Sequence, residues 1–126
     1  MPGTKKKDLS QKQQLNYVKA AISTENGLRN AKMLLEVRQT LTTSPDETML
    51  CMVKITDIKA EEEKVHAELL VFAAETTVIT PPSDQAVTTI TGIVETLAKM
   101  TAKNNAATEI ITTATALIAE WNKTRA

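Results

Sequence analysis

Apolar side chains recur three and four residues apart through most of this chain, the spacing of one helical face. The longest series is Ile90, Ile93, Leu97, Met100, Ala107, Ile111, Ala114, Ile118 and Trp121, with Asn104 in its one missing place. It predicts a heptad seam on a helix from Asp84 to Ala126, ~60 Å long, with a bend at Asn104-Asn105. A lone polar residue in such a seam fixes register or oligomer state at some cost in stability, so Asn104 is the candidate register-setting residue. In the middle of the chain, Cys51, Ile55, Ile58, Val65, Leu69, Phe72 and Ile79 share a face, with Glu62 and Thr76 on it as well. Nearer the start, Leu15, Val18 and Ile22 form one stripe, and Leu28, Ala31, Leu35 and Arg38 a second, shifted by one residue. Asn26-Gly27 lies at the shift, so the first helix, about Ser10 to Leu41, is expected to be bent or split near Gly27.

Breaker residues support the same segmentation. Neither Gly nor Pro occurs between Pro45 and Pro81, and a hairpin in that span would need turn residues. The centre reads Lys59-Ala60-Glu61-Glu62-Glu63-Lys64, a helix-forming composition, so Pro45 to about Ile79 is expected as one helix, roughly 50 Å long. Ser44-Pro45-Asp46-Glu47 supplies an N-cap, a proline at N1 and an acidic first turn. Thr80-Pro81-Pro82 ends it. The competing reading pairs Met52–Ile58 with Leu69–Ile79 as strands, but the turn residues for it are missing. Residues 1–9, with Lys5-Lys6-Lys7 and no apolar face, are expected to be a disordered basic arm, and 10–126 a single helical-bundle domain.

The fold class that follows is all-α: an antiparallel bundle of three long helices with coiled-coil-like packing, the second helix central. That helix is apolar nearly all round at Met49-Leu50-Cys51-Met52-Val53 and at Leu69-Leu70-Val71-Phe72-Ala73-Ala74, and a helix apolar on every side wants more than one neighbour. The expected partner interface is therefore Met49, Met52, Val53, Leu70, Val71 and Phe72 on the second helix with Ile111, Ile118 and Trp121 on the third. The threonine-rich last third forms helix poorly by itself, so burial must stabilise it.

Composition removes several function classes. The 126 residues carry 15 basic and 15 acidic side chains, so no globally basic coat for nucleic acid exists. The charge is nevertheless polarised: residues 1–19 hold five Lys and one Asp, whereas residues 44–80 hold three basic and eight acidic side chains. Antiparallel pairing would lay the basic first helix on the acidic second one. Tyr17, Phe72 and Trp121 are the only aromatics, too few for base- or sugar-stacking platforms. No apolar run is long enough for a transmembrane helix. The basic start lacks an apolar core behind it, so the expected location is cytoplasmic, or exported without a cleaved signal peptide.

Candidate chemistry is sparse. Glu63-Lys64-Val65-His66 has the Glu-x-x-His spacing of di-iron carboxylate bundles, but the chain has one His and the pair lies off the apolar stripe, so a solvated charged face is expected there. Glu62 falls inside the stripe, where a carboxylate can have a raised pKa; it is expected instead to snorkel at the seam edge or to pair with a Lys or Arg of the first helix. Cys51, the only cysteine, needs an activating base to act as a nucleophile, and His66 is roughly 22 Å further along the same helix. An inert buried thiol is expected. Neither a catalytic site nor a cofactor, metal or small-molecule substrate is expected. The sequence points to a non-enzymatic structural or assembly protein that self-associates or joins a larger complex through apolar helix faces. The alternative is a small regulatory binding module that acts as chaperone, adaptor or inhibitor of a partner protein.

Overall fold

A computed structural model describes residues 3–74 and 78–124. Its elements are β1 (Thr4–Lys5), a 3-10 turn (Lys6–Asp8), α1 (Gln11–Leu41), α2 (Pro45–Ala73), β2 (Val78–Ile79), α3 (Asp84–Lys99) and α4 (Ala107–Asn122). The described residues are mostly helical, but they form four packed helices rather than three.

Three helix starts carry a serine cap. The Ser10 hydroxyl accepts from Gln13 N at 3.0 Å, and Gln13 Oε1 accepts from Ser10 N at 2.9 Å, a reciprocal capping box. Ser44 and Ser83 accept from Glu47 N and Ala86 N, which satisfies donors that the helix leaves open. α1 runs unbroken through Gly27. A Cβ at Gly27 would lie 2.6 Å from Leu117 Cδ2 and 2.9 Å from Val94 Cγ2. The glycine there admits α3 and α4 to the helix surface, and the helix is not split at it.

The expected third helix divides because its polar residues offer the backbone other partners. Thr101 N donates to Asn105 Oδ1 at 3.0 Å, and Asn104 N donates to Thr101 Oγ1 at 3.1 Å. Such bonds compete with the helical ladder. α2 also ends earlier than expected, at Ala73. Val78 and Ile79 pair with Lys5 and Thr4 in a short antiparallel sheet instead. Thr76 lies outside the described residues. The continuous α2 removes the strand-pair reading of 52–79. Residues 4–8, expected within a disordered arm, form β1 and the 3-10 turn, and Leu9 is buried. Met1 and Pro2 lie outside the described residues.

The long-range bonds orient the helices. Asn16 near the start of α1 bonds Asp84 at the start of α3, and Arg38 near its end bonds Ala102 O after α3. Those two helices are therefore parallel. α4 starts beside Glu47 of α2 and ends with Trp121 against Tyr17 of α1, so it runs with α2 and against α1. Helix α1 is the hub that packs on all three others, whereas α2 lies mainly on α1 and touches α4 along one side. The expectation of a central α2 is thus corrected. The reason is volume: Ala20, Ala21, Gly27 and Ala31 of α1 are fully buried, and small residues let three neighbours approach one rod. Leu28, Leu35, Ile90, Leu97, Ile110 and Leu117 fill the centre.

Candidate interaction surface on the α1–α2 hairpin

Because α2 sits at the edge of the bundle, one side of it faces solvent along its length. Its core-facing residues are Cys51, Ile58, Val65 and Phe72, seven apart. That period leaves the opposite side uncovered, apolar at its two ends and polar in the middle. Met49 is 61% exposed, Leu70 is 59% exposed, and Met52, Val53 and Val71 are exposed with them. Neighbouring α1 adds Leu15, at 65%, with Ile22, Met33, Val37 and Leu41.

Where the start of α1 meets the end of α2, the surface forms a groove of about 780 Å³. Leu15, Val18, Leu69, Leu70 and Phe72 line it, with Lys12 among its polar residues. Phe72 is only 3% exposed. It stacks on Tyr17 with centroids 4.4 Å apart, and Lys6 Nζ lies 5.0 Å from its ring centre.

Midway along the hairpin the surface turns ionic. Glu62 accepts from Arg29 Nε at 3.0 Å and pairs with Lys32 at 3.4 Å, the partnership expected from the first helix. Glu25 lies 3.2 Å from Arg29 and 3.1 Å from His66 Nδ1. His66 is thus engaged with a glutamate of α1, and no three His, Cys, Asp or Glu side chains come together as metal ligands among the described residues.

At the far end Glu47 joins three helices. It pairs with Arg38 of α1 at 2.9 Å and accepts from Ala107 N of α4 at 2.9 Å. Ala106 has no side-chain acceptor, so Glu47 and Glu109 serve the open donors of α4. The bonds from Arg38, Thr42 and the Ala107 amide hold the Glu47 carboxyl down at about 2. Beside it, Cys51 is buried and desolvation pushes its thiol up, which disfavours the reactive thiolate.

The nominated interface residues divide into two groups. Met49, Met52, Val53, Leu70 and Val71 stand on the uncovered face. Phe72 and Trp121 are core residues: Trp121 is 1% exposed, lies 5.3 Å from Tyr17 and donates Nε1–H to Glu68 at 3.0 Å. Ile111 and Ile118 are half-buried beside α2, where they line a recess with Ile58 and Lys54. Asn104 is exposed in the α3–α4 connection, outside any helix, so it holds no seam position. Leu15 and Ile22, read from the sequence as part of an apolar stripe of the first helix, are exposed, whereas Met33, Val37 and Leu41 of α1 escaped that reading. Their signal was their place off the stripe through Leu28, Ala31 and Leu35. No family model, curated protein or solved structure matches this chain, and among the described residues no helix is long and apolar enough to cross a membrane.

Proposed function

We propose that this chain is a non-enzymatic assembly protein that self-associates through the outward side of its α1–α2 hairpin. The observation that carries this reading is the pair of exposed apolar clusters at the two ends of α2, Met49, Met52 and Val53 at one and Leu70 and Val71 at the other, the latter beside Leu15 of α1. Exposed clusters of large apolar side chains rimmed by polar residues mark interaction surfaces. A non-catalytic role is supported by the desolvated Cys51 thiol and by His66 bound to Glu25. The test is light scattering on the wild type and on the Val53→Glu/Leu70→Glu variant. The wild type is expected at twice the chain mass or more, and the variant at the mass of one chain with its helix content retained. Identical monomeric masses for both would contradict the reading.

A second reading, a regulatory module that binds another protein, is favoured by the groove of about 780 Å³ at Leu15 and Leu70, whose open apolar floor suits an amphipathic helix.

A further inference from the structure

The solvent side of α2 carries a second periodicity, distinct from its core stripe. Met49, Val53, Thr56, Ala60, Glu63, Ala67, Leu70 and Ala74 follow one another by alternating steps of four and three, and all eight are exposed. That is the spacing of a coiled-coil seam, and among the described residues none of its side chains is buried. At ~1.5 Å per residue it extends over roughly 38 Å. Its flanking positions are Leu50, Asp57, Lys64 and Val71 on one side, and Met52, Lys59, His66 and Ala73 on the other.

The row matches itself when reversed end for end about a point between Ala60 and Glu63. Met49 then meets Ala74 of the second copy, Val53 meets its Leu70, Thr56 its Ala67, and Ala60 its Glu63. Large Met49 falls against small Ala74 at the ends and Val53 against Leu70 just inside them, while in the middle small alanines face Thr56 and Glu63. On the first flank, Leu50 meets Val71 of the second copy, and Asp57 meets its Lys64, twice by symmetry. Glu63, the one charged residue in the row, comes within one residue of Lys59 of the second copy. On the other flank Met52 meets Ala73 of the second copy, and Lys59 meets its His66. A parallel arrangement would instead oppose Lys59 to Lys64 of the second copy and leave Asp57 against its Met52. Like charges at flanking positions select against a pairing.

From this self-complementarity we infer that the partner of the α2 face is a second copy of the chain, docked α2 to α2 in antiparallel orientation with the two-fold axis between Ala60 and Glu63. The inference rests on the self-association proposed above and adds its orientation and register. Central alanines at 60 and 67 permit close helix approach, and the two Asp57–Lys64 pairs set direction.

Two variants, Val53→Cys and Leu70→Cys, test it in the full chain with Cys51 left in its buried place. Under mild oxidation, either variant alone is expected to stay uncrosslinked, because each position lies about 25 Å from its own copy in the antiparallel register. Their mixture is expected to yield a covalent heterodimer. Charge exchange supplies a second readout. Asp57→Lys and Lys64→Asp are each expected to raise the dimer dissociation constant about tenfold, and the double variant to return to within about twofold of the wild type. A wild type that dimerises while Val53→Cys alone crosslinks, or while the double variant adds the two losses, overturns the antiparallel register and leaves self-association standing. A monomeric wild type overturns both.

Discussion

Gly27 and Gly92 both occupy helix interiors, yet their surroundings give opposite expectations. Alanine in place of an interior glycine gains about 1 kcal/mol of helix propensity. At Gly92 a Cβ meets nothing within 4 Å, so Gly92→Ala is expected to stabilise by about that amount. At Gly27 the same atom would overlap Leu117, which is fully buried, and Val94, whose branched Cβ leaves it stiff. Overpacking costs about 1–3 kcal/mol, so Gly27→Ala is expected to lower stability on balance. Denaturant melts of the two variants compare them directly; stabilisation at both positions would show that α3 and α4 do not approach α1 as described. Thr24 gives a third expectation at this scale. Its hydroxyl is fully buried with no hydrogen-bond partner among the described residues. Thr24→Val keeps the shape and removes the orphan, so a gain of about 1 kcal/mol is expected in the same melts. A loss would mean that the hydroxyl has a partner.

Between helices, the decisive contact is Glu47, whose side chain is only 16% exposed. Its carboxyl is held at about 2, below its ordinary value of 4.5, by Arg38, Thr42 and the first amide of α4. The folded state therefore favours the ionised form. This contribution is complete above about pH 4.5 and is lost as pH falls towards about 2. Thermal melts of the wild type and Glu47→Gln should differ most near pH 7 and converge in acid. A gap that stays constant down to pH 2.5 would refute the assignment. Elements were legible in the sequence where their signals are local. Ser44-Pro45 was read as a helix start because a cap needs only its own next turn; Ser10 and Ser83 cap α1 and α3 in the same way. The break between α3 and α4 was not legible as a break. A heptad pattern continues in the letters across 100–106, and the bonds of Thr101 and Asn105 that interrupt it depend on side-chain geometry. The pattern also favoured Ile111 and Ile118 over Ile110 and Leu117 as core, an offset of one residue that follows from restarting the helix at Ala107. The early end of α2 has a similar origin: Val78 and Ile79 find backbone partners in Lys5 and Thr4, 73 and 75 residues away in the chain.

For the molecule as a whole, choosing the hub changes what remains uncovered. A chain with α2 at its centre would bury both apolar ends of that helix. With α1 at the centre, the small side chains Ala20, Ala21 and Ala31 lie inside and α2 is left at the edge with Met49, Met52 and Val53 outward. The sequence pointed to too much apolar surface on α2, and the structure places much of that surface on one solvent-facing side. Phe72 and Trp121 could not be separated from that set by pattern alone, since their burial depends on Tyr17 coming between them from a different helix. The central claim is that another chain covers this side. Sedimentation equilibrium of the wild-type chain over a hundredfold range of concentration tests it most directly. A single reversible association to an even multiple of the 13.7 kDa chain is predicted; a mass that stays at 13.7 kDa throughout the range would contradict it.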